Sequence, residues 1–247
     1  MSPTATRYAS VDVLRGAAIV LMISYHFSWD LSYFGFADFR VTTDQYWIWY
    51  ARFIAGTILL VMGISQAIVA TRPFNRHLFL RRLLIVTSAA LTVSIGTYAM
   101  DPQTFVFFGI LHHIALVSIL MIFLIRLPSG TLAGLAVISL LAPTLLRHEI
   151  FFAKGLWWVG LTPVAPLSVD YVPLLPWLGL SLVGVVVGRY CFAGTSLPGW
   201  PGLVAWQPTG IVTRLLRLAG RHSLFIYLIH QPLLFGGTYA VYLLLNS

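Results

Sequence analysis

Four ionisable side chains share the first apolar segment of the chain: Asp12, Arg15, His26 and Asp30. A helix turns by about 100° per residue, so a separation of 11 returns to nearly the same face. Arg15 and His26 are 11 apart; Asp12 lies three before the first and Asp30 four after the second. All four therefore fall on one stripe, with Ala, Val, Leu and Ile on the face opposite. At about 1.5 Å of rise per residue, Arg15 and His26 lie roughly 16 Å apart along the axis, about half a bilayer. An imidazole beside a carboxylate is suited to taking up a proton, and a guanidinium to holding an anion. Charged groups at such depth face a protein interior or a water-filled cavity.

Other polar points repeat the pattern. FGILHHIAL places His112 and His113 about a turn or two inside another apolar run, pointing about 100° apart, so that one of them faces the interior. GRHSLFIYLIHQPLLFG puts Ser223, Tyr227 and His230 on one face with Gln231 adjacent. Pro232 frees the carbonyl of residue 228, a sign of a local opening beside a cavity. DYVPLLPWLG brings Asp170 and Trp177 to the mouth of a further apolar run.

The elements that must position these groups are membrane spans. The chain has 247 residues, 59% of them hydrophobic and only 9% charged, with a mean hydropathy of +0.88. Soluble domains carry about 25% charged residues. The apolar runs are continuous and near 20 residues long, not alternating ten-residue segments. An all-α polytopic membrane protein with seven transmembrane helices follows, a single domain over 1–247. The spans are placed at 11–29, 46–70, 81–100, 104–126, 130–147, 172–190 and 222–244. Segment 150–163 is too short to cross and suits the interface, where tryptophans are favoured. Residues 192–210 read as a turn-rich inner loop.

Loop charge orients the chain. With the N-terminus inside, ten arginines fall on inner segments, whereas Arg40, Arg52, Arg147 and Lys154 fall outside. That bias predicts a cytoplasmic N-terminus and an extracytoplasmic C-terminus. The net charge of +8 is thus a topology signal and not a nucleic-acid one. Cys191 is the sole cysteine, so no intrachain disulfide is available. No compact metal site emerges from the histidine and carboxylate spacings. A haem- or quinone-binding protein using His26, His112, His113 and His230, and a small transporter using the same intramembrane groups, stay open as alternatives.

RYASVDVLRGAAIVLMISYHFSWDL, FGILHHIALVSIL, DYVPLLPWLGLSLVGVVVGR and LAGRHSLFIYLIHQPLL together resemble the bacterial membrane proteins related to heparan-alpha-glucosaminide N-acetyltransferase. The Arg15-to-His26 spacing also resembles the arginine–histidine motif of the broader transmembrane acyltransferase superfamily. The resemblance implies acyl transfer across a bacterial inner membrane, from cytoplasmic acetyl-CoA or another acyl-CoA to an amine or hydroxyl of an extracytoplasmic sugar or glycan. By position, Arg15 matches the superfamily arginine and His26 the histidine.

In that chemistry, Arg76, Arg81, Arg82, Arg214, Arg217 and Arg221 flank the donor side and offer bidentate pairing to phosphates. Arg15, Arg81, Arg82 and Arg221 are the candidate donor-binding residues. His26 is the candidate general base, with Asp30 orienting the ring or stabilising the imidazolium. Tyr227 or His112 is placed to stabilise the oxyanion. Asp12, His112, Asp170, Trp177, Tyr227, His230 and Gln231 are the candidate substrate-binding residues. The expected partners are membrane lipid, the acyl donor, a sugar or glycan acceptor and, in a homo-oligomer, a second copy of the chain, with no nucleic acid and no metal.

Overall fold

A computed structural model describes residues 7–192 and 201–246. Nearly all of it is helix: α1 (Ala9–Tyr33), α2 (Gln45–Ala70), α3 (Arg76–Met100), α4 (Ile110–Leu124), α5 (Ser129–Leu145), α6 (Leu174–Phe192), α7 (Pro201–Ala205), α8 (Ile211–Arg221) and α9 (Ser223–Asn246). Five of these, α1, α2, α3, α6 and α9, are long and apolar enough to cross a membrane; α4 and α5 are shorter apolar helices. The described residues contain no strand, only an isolated parallel bridge between Phe108 and Tyr171.

The chain divides into two compact units, Met1–Ile58 with Gly199–Ser247, and Leu59–Pro198. In the first, α1 packs on α8 and α9. Asp12 in the first turn of α1 suits the positive end of the helix dipole. Ile19, Met22 and Ile54 form its small core, bordered by Tyr25, Tyr50, Ile226 and Tyr227. Gly16 and Gly220 set the crossing of α1 and α8. A Cβ on Gly16 would land on the carbonyl oxygen of Leu216, and one on Gly220 on that of Asp12. The two backbones approach as closely as small residues allow in membrane helix pairs.

In the second unit, α6 packs on α5 and against residues 59–70 of α2 by the same device. Gly184 faces the Leu60 carbonyl, Gly63 that of Ser181, and Gly188 the backbone of Ile64. Met62, Val117, Met121, Leu132, Ala136, Leu182 and Val185 fill the core. Arg189 clamps the end of α4, donating to the carbonyls of Ile125 and Leu127 and to Ser129 Oγ.

Two boundaries differ from the sequence expectation for a physical reason. α4 starts at Ile110 and not near 104, because residues 104–109 are extended against 168–172. Val169 N donates to Thr104 O and Val172 N to Phe108 O. α6 starts at Leu174, and Leu175, which precedes Pro176, is itself extended (φ −104°, ψ 135°). Segment 150–163 holds two short 3₁₀ turns, Glu149–Phe152 and Lys154–Val159. The second ends on Gly160 at φ 92°, where a Cβ would also strike the Leu175 carbonyl. Of the expected turn-rich stretch 192–210, residues 193–200 lie outside the described residues and 201–205 form α7. α9 runs unbroken through Pro232.

Candidate functional site

In the first unit, α1 and α9 bring together four of the predicted groups. The His26 and His230 rings meet edge to face, 4.9 Å between centroids. Asp30 is fully buried and its Oδ1 accepts a 2.9 Å hydrogen bond from Gln231 Nε2. No hydrogen bond joins Asp30 to His26, so any influence of Asp30 on that ring is exerted by charge. The long Gln231 side chain, arriving from α9, takes the carboxylate instead.

The hydrogen-bond ledger of this cluster is incomplete in one direction only. Among the described residues, Asp30 Oδ2, His230 Nε2 and Gln231 Oε1 are buried with no partner. His230 Nδ1 lies 2.7 Å from the Tyr227 carbonyl, which can only accept. Nδ1 therefore carries the proton, and the unpaired Nε2 of the neutral ring is an acceptor. Buried polar atoms are satisfied almost everywhere in proteins, so three unmatched acceptors, one on α1 and two on adjacent residues of α9, mark a site built for hydrogen-bond donors.

Tyr227 packs its ring on His230, 5.8 Å between centroids. Near it, the Tyr50 hydroxyl meets Ser24 Oγ at 2.6 Å, a pair sequence spacing could not expose because it joins α1 to α2. Tyr25 stacks edge-on against His26 at 5.6 Å.

At the other end of α1, Arg15 and Asp12 do meet. Asp12 is almost wholly buried; its Oδ1 takes Arg15 at 2.9 Å and its Oδ2 takes Arg7 at 2.7 Å. Arg15 also donates to the Gly220 carbonyl at 3.4 Å. The guanidinium thus ties α1 to the C-terminal end of α8, which orphan carbonyls favour. Arg7 was not singled out from the sequence; its spacing of five from Asp12 sits outside the helix. Arg221, at the end of α8, is exposed.

In the second unit the predicted residues make local contacts. Asp170 Oδ2 accepts from Ile110 N at 3.0 Å, satisfying the first turn of α4. His112 Nδ1 accepts from Gly109 N at 3.2 Å, and its Nε2 faces Ser94 Oγ at 3.3 Å. Both nitrogens of His112 thus have partners, Nδ1 as a cap of α4 and Nε2 on the Ser94 side chain of α3. His113 is the fully buried member of the pair, with Nδ1 3.2 Å from the Pro173 carbonyl and Nε2 unmatched. Trp177 sits half-buried in the first turns of α6, and Arg81 and Arg82 are exposed on α3. Beside Asp170, the Tyr171 hydroxyl donates to the Trp157 carbonyl at 2.7 Å, and burial pushes its phenol up to about 12. Among the described residues, no group of three or more His, Cys, Asp or Glu is placed to hold a metal ion.

The geometry is therefore a helix-borne imidazole pair with a buried carboxylate at one level and, about 16 Å away at the other, a buried aspartate joined to two partly exposed arginines. No curated protein and no solved structure matches the chain. The model of the heparan-alpha-glucosaminide N-acetyltransferase catalytic region matches residues 7–232, and so takes in both units and every residue just described. The chain belongs to the heparan-alpha-glucosaminide N-acetyltransferase catalytic family of membrane acetyltransferases.

Proposed function

We propose that the protein transfers an acetyl group from cytoplasmic acetyl-CoA to an amine or hydroxyl of an extracytoplasmic sugar, within a bacterial inner membrane. In this reading α4 and α5 complete seven spans, the N-terminus is cytoplasmic, and the two units work as one acyltransferase domain. The observation that supports it most is the His26–His230 pair beside buried Asp30 and its unmatched acceptor atoms.

His26 acts as general base. As the acceptor nitrogen or oxygen attacks the thioester carbonyl, its proton passes to His26. The tetrahedral intermediate then collapses with cleavage of the carbon–sulfur bond, and the departing thiolate recovers that proton. Asp30, one turn further along α1, favours the transient imidazolium by its charge. Tyr227, His230 and Gln231 line the acceptor. In the first unit Arg15 and Arg221 are the donor-side cations; in the second, the exposed Arg81 and Arg82 offer phosphates the same fork of donors.

The test is release of free CoA thiol from acetyl-CoA by reconstituted protein given a glucosaminide. His26→Ala should lower the rate by about 10²–10⁴-fold, the range for loss of a general base. A correctly folded His26→Ala protein that keeps the wild-type rate would overturn the assignment.

A further inference from the structure

α8 lends the acyl-transfer chemistry only Arg221, at its last position, and the rest of the helix has no part in that reaction. It has 11 residues, about 16 Å, half of what a bilayer core requires. One face is used: Gly220 is buried against Asp12, and Leu216 lies over Gly16. A second face is bare and apolar. Ile211, Val212, Leu215 and Leu218 are 70%, 64%, 57% and 53% exposed. At about 100° per residue these four fall within an arc of about 120°. The third face is basic: Arg214, Arg217 and Arg221 share an arc of about 60° beside the apolar one, and α8 contains no acidic residue.

A surface helix with a bare apolar face and a flanking cationic strip lies in the plane of a membrane interface. The position of α8 agrees. It packs on the charged first turns of α1, at Asp12 and Gly16, and ends one residue before α9 begins. The four apolar side chains would sit at the acyl-chain boundary, and the guanidinium groups at the level of the phosphates.

We infer that α8 is an interfacial helix that binds anionic phospholipid headgroups, Arg214 and Arg217 pairing lipid phosphate while Ile211, Val212, Leu215 and Leu218 enter the acyl region. The inference needs only a membrane location and holds whatever the reaction. Arg217 reaches Gln207 at 3.3 Å, and Arg214 is exposed one turn before Leu218. Arg214 is thus the first residue a headgroup meets.

The test is native mass spectrometry of the whole protein in mild detergent with equal phosphatidylglycerol and phosphatidylcholine. Wild type should retain phosphatidylglycerol in preference, and Arg214→Gln should lower that preference by about fivefold, the worth of one arginine at an anionic surface. Equal retention of the two lipids by wild type, or an unchanged preference in Arg214→Gln, overturns the proposal. Displacement of the bound lipid by equimolar coenzyme A would assign the strip to the soluble donor's phosphates and also overturn it. Spin labels at Leu215 and Leu218, on a Cys191→Ser background, give an independent reading. Greater accessibility to oxygen than to a water-soluble nickel chelate supports burial in the acyl region, and the reverse order refutes it.

Discussion

Gly16→Ala isolates the contact between α1 and α8. The added methyl would fall on the Leu216 carbonyl oxygen, a backbone atom that cannot swing aside as a side-chain tip can. The helices must separate, and the reciprocal contact of Gly220 with the Asp12 carbonyl is lost with them. Overpacking of this kind costs about 1–3 kcal/mol. Ala returns about 1 kcal/mol through its better helix propensity. Since both sides of the contact are backbone, the upper part of the range applies, leaving a net loss of about 2 kcal/mol. For a chain of this size that lowers Tm by roughly 4–8 °C. Gly220→Ala should do the same. Gly96→Ala in α3 and Gly134→Ala in α5 form the controls, because nothing lies within 4 Å of a Cβ at either. They should raise Tm by a few degrees through propensity alone, about 1 kcal/mol at most. The assay is thermal unfolding by intrinsic fluorescence in detergent. If Gly16→Ala and Gly220→Ala melt at or above the wild-type temperature, the backbone contact does not exist as described.

Gln231→Leu removes the one hydrogen bond to buried Asp30 and should cost about 2 kcal/mol, the worth of a bond to a charged group, visible in the same melting assay; an unchanged Tm would refute the pairing. Asp12→Asn strips Arg7 and Arg15 of their shared counter-charge. Both guanidinium groups keep some water, so the expected cost is about 1–3 kcal/mol, and a variant as stable as wild type would count against the junction. The Tyr171 phenol titrates at about 12 in the fold against an ordinary value of 10.0. The folded state therefore holds that proton more tightly. The stabilisation is complete below pH 10 and is lost as pH climbs toward 12. The ultraviolet difference between wild type and Tyr171→Phe should show one tyrosine ionising in that upper window; ionisation near 10 would refute its burial. Asp101, held low by Thr104 Oγ1 and the Gln103 amide, stabilises its loop above the ordinary carboxylate range and loses that effect as pH falls through its depressed value. Thr104→Val should narrow that acid window in amide exchange of the loop, and identical acid profiles would exclude the contact.

Much of the first unit was legible because it is local. The 11-residue interval from Arg15 to His26 needs only one unbroken helix, and α1 runs from Ala9 to Tyr33. The 227–230–231 cluster likewise needs only α9. What could not be read was non-local. Asp170 also accepts a hydrogen bond from Ile110 N, 60 positions away, which no local spacing announces. The start of α4 was misplaced because apolar residues 104–109 pair with a segment that hydropathy treats as unrelated. Asp30 was paired with His26 by interval alone, whereas Gln231, 201 positions on, takes its hydrogen bond. Gly16 and Gly220 carry no signal beyond smallness until the chain is folded.

The junction of α8 and α9 has a mechanical meaning. A single residue, His222, separates the two helices, and its amide bonds back to Leu218 and Ala219. His230 stands eight residues further, about 12 Å along the axis. A tilt of α9 by about 5° about His222 would carry that imidazole roughly 1 Å. The junction is a fulcrum: one arm, α8, is pinned by glycine to α1, and the other, α9, carries His230 about 12 Å out. A change in the angle between the two arms would therefore move His230 relative to the His26 ring it meets at 4.9 Å.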